Sequence, residues 1–448
     1  MKKRLALILA SAMLVSSAVC SLASCSGGGG SDAKGHVYYL NFKPEQDEQW
    51  QALAEAYTEE TGITVDVSTA AQGTYETQLA SELGKSDAPT LFQVNGPVGL
   101  ANWKDYCYDL TDADVTKQLK DNSFALKDGE GKVRGVAYVS ETYGMIVNTD
   151  LLTKAGHSLD EITNFETFKA VVEDITANSK KLGFSAFTNA SLKKGEDWRI
   201  QTHLANIPLY YEFKADNVSG DDALKVDFQP KGIYLENYRN IIDLYLNNAT
   251  CAPSVADSKT VDDATQEFAD GQAVFFQNGT WAYDGIKDLG DENLQMIPIY
   301  IGVEGEENQA LCSGTENYWC VNSQAAEEDI QATLDFLNWV VTSETGINSL
   351  CDDMGFVVPF KNAKAPNNIF AKQADEYVSA GKTPVTWTAF QCMPSEKWKE
   401  DLGSAIATYS KKQNDAAWET VVTNFTDNWK AEKEASASAT TDDAEAAE

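Results

Sequence analysis

The residues best suited to chemistry in this chain are aromatic and acidic rather than nucleophilic. Ten Trp and eighteen Tyr stand among 448 residues, whereas His occurs three times, at 36, 157 and 203. No H-E-x-x-H or paired His spacing offers a zinc site, and no G-x-S-x-G elbow offers an activated serine. Gly84-Lys85-Ser86 and Gly381-Lys382-Thr383 each lack the glycine five positions earlier that a phosphate-binding loop requires. Acids outnumber bases 68 to 35, so carboxylate pairs for glycoside cleavage are available, but sequence does not encode their separation. Aromatic rings with a few carboxylates do something simpler. The ring covers an apolar ligand face and the carboxylate accepts hydroxyl protons, which is binding without transformation.

Fourteen residues, Phe268 to Trp281 (FADGQAVFFQNGTW), show how such a ring is placed. Helical spacing over 261–268 stops at Gly271, where a left-handed C-cap fits. Gln272 to Gln277 is short, rich in Val and Phe and bounded by Gly and Asn-Gly, which predicts a buried strand. Thr280 then caps a new helix, so Trp281 stands at a strand exit, the rim of an α/β ligand cleft. The chain opens with a strand over 36–40, a helical pattern over 48–60 and a strand over 63–67. This βαβ order predicts a parallel sheet under helices. Phe42, Lys43 and Asn95 follow strand ends in that sheet and are rim candidates by the same rule. A chain of 448 residues exceeds one typical core, so two lobes are expected.

Written as F-x-x-G-x-A-x-x-x-x-x-G-x-W, the stretch resembles the signature of family 1 extracellular solute-binding proteins. These are the sugar-capturing subunits of bacterial ABC importers, and they include the maltose-binding proteins. Residues 135–156 (GVAYVSETYGMIVNTDLLTKAG) and 314–322 (GTENYWCVN) resemble two further family segments, and the resemblance spans 36–430. It implies an α/β fold of the type II periplasmic-binding-protein kind. Two lobes, each with a central sheet flanked by helices, would be joined by a hinge of crossovers near 139–141, 312–315 and 353–357. Lobe 1 would take 36–140 plus 315–353, and lobe 2 would take 141–314 plus 354–430.

The resemblance also implies roles. Trp281 would stack on a sugar ring, and Glu141, seven residues before Asn148, would bind sugar hydroxyls. Trp198 and Asp197 stand where relatives' second lobe contributes an aromatic and an acid, and Trp398 where they use another aromatic. Glu316 and Tyr318 enlarge positions often small in relatives, narrowing the cleft. The ligand implied is a carbohydrate, with the spread of Trp favouring an oligosaccharide. A monomer would deliver it to ABC transporter permease subunits, with no cofactor, metal or catalytic residue.

The termini fit export. Lys2, Lys3 and Arg4 precede an apolar run, Leu5 to Val19, that is short for a membrane span, so 1–24 reads as a signal peptide. Leu22-Ala23-Ser24-Cys25 resembles the lipobox of bacterial lipoproteins, which implies a lipid on Cys25 and a protein anchored at the extracellular face of the cell membrane. Residues 25–35 then form a Gly/Ser tether, and 431–448 reads as a disordered acidic tail. A net charge of -33 opposes nucleic acid and anionic membranes, so the lipid is the only membrane contact expected. Six body cysteines, at 107, 251, 312, 320, 351 and 392, leave the pairing open. Besides a carbohydrate-active enzyme, two other readings stay open on the same residues. One is a non-sugar solute such as a polyamine or glycerophosphodiester; the other is a binding subunit for a membrane sensor.

Overall fold

The computed structural model describes residues 35–218 and 227–445, with side chains through 435. The expected signal at 1–24, the lipidated Cys25, the tether up to residue 34 and the last three tail residues lie outside the described residues.

The opening βαβ unit forms as its spacing predicts. His36–Asn41 (β1) pairs in parallel with Thr64–Thr69 (β2). The helix Asp47–Thr61 between them buries Trp50, Leu53, Ala54 and Tyr57, one face at three- and four-residue intervals. Leu91–Asn95 (β3) lies parallel on the other side of β1. Ala125–Lys127 (β4) and Val133–Ala137 (β5) form an antiparallel pair at the far edge. The second sheet uses Glu141–Asn148 (β6), Ser185–Phe187 (β7), Ala273–Gly279 (β8), Leu294–Ile297 (β9) and Gln309–Gly314 (β10). Asn317–Val321 (β11) returns to the first sheet and Thr383–Thr386 (β12) to the second. The strand orders are β2-β1-β3-β11-β5-β4 and β12-β10-β6-β8-β7, with β9 also on β6.

Each sheet is covered on both faces. One face of the first packs Trp50, Trp319, Phe336 and Phe356, and the other packs Phe92, Tyr75 and Tyr318. The second sheet carries a large core around Phe168, Phe275, Tyr238 and Trp398 and a smaller one around Phe268, Phe276 and Phe370. Burying strands on both sides explains their continuous apolar runs, such as the fully buried β6 and β8.

The chain passes between the sheets at Tyr138–Ser140 and at Thr315–Glu316, near the expected positions. The third pass differs. Phe356, Val358 and Phe360 pack into the first core, and Ser140 N–H donates to Val357 O at 2.7 Å. Only at Asn368, which donates to Thr280 O at 2.9 Å, and at Phe370 does the chain join the second sheet. The pass therefore falls between Phe360 and Asn368 rather than at 353–357, because the alternating aromatics after Gly355 belong to the first core.

The C-terminal segment is a second correction. A helix runs Asp415–Glu445 through much of the stretch expected to be disordered. Trp418, Val421, Phe425 and Trp429 anchor its first half in the second core. Once that half is packed, the helix is already nucleated, and the Ala and Glu spread through 431–445 extend it past its Ser, Thr and Asp residues. The six body cysteines are free thiols. Among the described residues no helix is long and apolar enough to cross a membrane, and no group of three His, Cys, Asp or Glu is arranged for a metal ion.

Candidate functional site

The sheets meet where β1, β6 and β11 bring three polar side chains together. At the exit of β1, Asn41 holds the turn by donating to Lys43 O at 2.8 Å and accepting from Lys43 N–H at 3.1 Å. That turn directs the Lys43 ammonium onto Glu141 Oε1 at 2.7 Å. The other oxygen of Glu141 accepts from the Asn317 amide at 3.0 Å. Lys43 and Glu141 are 4% and 3% exposed, so the pair is held inside the junction rather than on its surface. Burial by itself would lower the Lys43 ammonium, but the Glu141 and Glu45 carboxylates outweigh it and hold it above its usual value. Glu45, 3.7 Å from Lys43, is raised by burial. Glu316, on the pass into β11, is pushed up to about 8 by burial first and by Glu141 second, with Lys43 and Lys399 opposing.

The facing wall is aromatic and comes from the second sheet. Gly271 takes φ +68° behind the helix Val261–Ala269 as expected, but β8 runs past the expected Gln277 to Gly279, and Gly279 rather than Thr280 stands at the N-cap of the short 3₁₀ turn that carries Trp281. The Trp281 ring folds back over Gly279, where an added Cβ would sit 2.2 Å from it, so only glycine fits. Trp198 lies 5.8 Å from Trp281 between ring centres. His203 packs within 5.5 Å of Trp281, 5.0 Å of Trp198, 5.2 Å of Trp387 and 4.8 Å of Tyr143. Lys43 Nζ stands 5.9 Å from the Trp281 ring centre, so the charged and aromatic walls meet there.

A π-helical turn, Arg199–Leu204, holds this wall. The Arg199 guanidinium donates to Gln277 O at 2.6 Å, and the Gln277 amide donates back to Arg199 O at 2.7 Å. The same guanidinium reaches Ser191 Oγ at 2.6 Å and Asn189 O at 3.2 Å. Trp198 and Trp281 are thereby fixed to one frame. Burial, reinforced by Lys43, Arg199 and Lys399, pushes the His203 imidazole down to about 3 against its Trp198 carbonyl contact, leaving it neutral.

Of the expected site residues, Trp281, Glu141, Trp198 and Lys43 converge, with Glu316 beside them. Phe42 borders the group at 6.0 Å from Lys43 Nζ, edge-on to Tyr75. Asn95 ends β3 in register with Asn317. Asp197 turns elsewhere. It accepts from Gly195 N–H and the Gln201 amide and packs on Gly403, and burial pushes it up to about 6. Two candidates fall in the cores. Trp398 is fully buried, its indole donating to Asn424 O at 2.7 Å and its ring edge-on to Trp429 at 5.0 Å. Tyr318 is 3% exposed among Phe92, Leu126 and Ala137. Alternation along β11 turns Asn317 toward Glu141 and Tyr318 to the opposite face.

His203, Trp387, Asn317 and Glu45 are the residues sequence reasoning missed. A five-residue separation puts Trp198 and His203 apart on an α-helix, and only a π turn gathers them. Trp387 follows a four-residue strand that carries no motif. A cavity of about 90 Å³ lies beside Trp281, lined also by Gln46, Met354 and Asn368. A larger groove of about 620 Å³, between His36, Asp66, Lys85 and Asp329, opens on the first lobe and reaches none of the site candidates.

Two sheets joined by repeated chain passes, with an aromatic wall facing a charged one between them, define a two-lobed, type II periplasmic-binding-protein-like fold. Residues 52–378 match the family model of bacterial extracellular solute-binding proteins, and the chain belongs to that family. Similar solved structures include RafE in complex with raffinose, 18% identical, covering 87% of this chain and 98% of that one with a TM-score of 0.68. A chitin oligosaccharide binding protein is 17% identical over 90% of this chain and 98% of its own, with a TM-score of 0.69. The GacH receptor of Streptomyces glaucescens GLA.O is 17% identical over 89% and 98%, with a TM-score of 0.63. No curated protein matches the chain. At these identities the likeness is one of fold.

Proposed function

We propose that the protein captures a carbohydrate, an oligosaccharide in preference to a single sugar, between its lobes and delivers it to the permease of an ABC transporter. The observation that carries this reading is the meeting of Trp281 and Trp198 with the buried Lys43–Glu141–Asn317 group. Rings cover the apolar faces of a sugar, and charge-assisted groups pair with its hydroxyls. Solved relatives of the same fold include proteins described with raffinose and with chitin oligosaccharide, which supports the class of ligand. The lobes hold the ligand, and the three chain passes between them allow closure. The domain limits read from sequence, amended at the third pass, belong to this proposal, as does anchoring through a lipid on Cys25. It is a binding protein in this reading, not an enzyme.

A specific observation favours one rival, a polyamine. Glu45, Glu141, Glu316 and Glu396 outnumber Lys43 and Lys399 around the junction. A thermal-shift panel separates the readings: raffinose, chitin oligosaccharides, galactose, spermidine and glycerophosphocholine with the protein lacking residues 1–34. A ligand that binds only the folded state raises the melting temperature. We expect a glycan to do so, and Trp281→Ala to weaken that glycan at least tenfold, the loss of about 1.4 kcal/mol of stacking and burial. A shift with spermidine alone would assign the site to the polyamine.

A further inference from the structure

We propose that His203 is a specificity-determining residue that reads a ligand hydroxyl through its Nε2 atom, with three indole N–H groups donating to the ligand's oxygens around it. The inference rests on the carbohydrate reading above and sharpens it.

A buried indole N–H normally finds an acceptor, because left bare it has given up water without replacement. Three core tryptophans obey that rule, Trp398 donating to Asn424 O, Trp429 to Phe228 O and Trp319 to Tyr39 Oη, while Trp50, single in the first core, does not. The indole nitrogens of Trp198, Trp281 and Trp387 are buried and have no partner, and neither has His203 Nε2. These four rings are one cluster, each tryptophan within 5.5 Å of the imidazole. Four unsatisfied polar atoms gathered at one wall of the lobe junction are a recognition surface, not a packing fault.

The chemistry of the four atoms is fixed by their neighbours. Trp198 O only accepts, and it lies 3.3 Å from His203 Nδ1 while already receiving the Thr202 hydroxyl at 2.5 Å. With its proton given to Trp198 O, Thr202 Oγ1 accepts from Nδ1 at 3.0 Å. Nδ1 therefore carries the ring proton, and Nε2 of the neutral ring is a bare acceptor. The four rings thus offer three donors and one acceptor, and Arg199 Nε, Gln201 Oε1 and Gln277 Oε1, on the turn and strand that hold them, are also buried without a partner.

That inventory selects a ligand class. A polyamine ammonium has no acceptor, so it leaves all three indoles unsatisfied, and it would face the Lys43 ammonium 5.9 Å from Trp281. An ionised carboxylate or a phosphodiester group satisfies the indoles but has itself no proton for Nε2. A hydroxyl does both, accepting through its lone pairs and donating its hydrogen. The wall therefore fits a neutral polyhydroxylated ligand, and the residue that demands a hydroxyl rather than any oxygen is His203.

The test measures affinity for the panel glycan that gives the largest thermal shift, and for its monodeoxy analogues, in wild type, His203→Phe and His203→Gln. Phe keeps a ring without an acceptor, and Gln restores an acceptor oxygen. We expect His203→Phe to bind the parent glycan on the order of tenfold more weakly and His203→Gln to recover most of the loss, the size of one buried hydrogen bond. One monodeoxy analogue should weaken wild type by a similar factor and leave His203→Phe unchanged, a coupling that a merely structural role would not give. Melting temperatures without ligand show that each variant folds. Equal glycan binding by wild type and His203→Phe, or losses that add without coupling, overturns this proposal and leaves the carbohydrate reading intact. Response to spermidine alone, or to no panel glycan, overturns both.

Discussion

The second lobe holds two clusters of tryptophan that sequence reading treats alike, and the structure separates them by what their nitrogens do. Around Trp398, the rings of Phe425 and Trp429 pack edge-on at 5.7 and 5.0 Å, and both indoles donate to backbone carbonyls. Around His203, rings lie at similar distances, but the indole nitrogens are buried without partners. Ring packing is equally good in both places. The difference lies in polar satisfaction, and it is what the proposal above uses to separate a ligand-facing cluster from one that is core alone.

Substitutions test that division. Trp398→Ala should be the most damaging: removing a fully buried Trp costs about 3–5 kcal/mol. Urea unfolding would show the loss, while the folded fraction keeps its glycan affinity. A variant of normal stability that binds poorly would return Trp398 to the site and break the comparison. Glu141→Gln comes next. It leaves the Lys43 ammonium buried with Glu45 at 3.7 Å as its remaining carboxylate. Stripping a buried charge of its partner costs roughly 3–5 kcal/mol when nothing replaces it, so a loss near or below the lower bound is expected. Lys43→Met combined with Glu141→Met should recover much of it, and a double-mutant cycle in urea measures the coupling. If the pair proves uncoupled, the charged wall is not the unit described.

The smallest effect concerns pH. Glu316 is pushed up to about 8 from an ordinary 4.5, so between those values the folded protein holds a proton that the unfolded chain has released. Its contribution is fully present below pH 4.5 and is lost as pH rises through about 8. Burial sets most of this, with Glu141 and Glu396 adding to it and Lys43 and Lys399 opposing it. Melting temperature should therefore fall across that window in wild type and fall less in Glu316→Gln. Identical pH profiles would remove Glu316 from the charged wall.

Much of this architecture was legible because it rests on local pattern. The Trp50–Tyr57 helical face, the Gly271 cap and the buried β8 were visible in spacing alone, and they put Trp281 just after a strand end. Glu141 was legible through its distance to Asn148 in a recognisable segment. What escaped depends on tertiary partners. A π turn gathers Trp198 and His203, and no 3.6-residue pattern announces it. Trp398 looked like a site residue because motif position does not say which way a ring points; its helix face turns it toward Phe425 and Trp429. Tyr318 failed for a related reason, since a strand sends neighbouring side chains to opposite faces and register decides which face is which. The tail from 431 looked disordered by composition, and the packed helix before it carries it on.

The mutual hydrogen bonds of Arg199 and Gln277 have a kinetic consequence. They tie the exit of β8 to the turn bearing Trp198 and His203, so the aromatic wall is a single body whose shape is set when the chain folds. A guest meets a surface already in its final arrangement, and no entropy of ordering these rings is charged at the moment of encounter. For the ligand proposed above, binding would then draw its rate from access to this wall rather than from rearrangement of its rings.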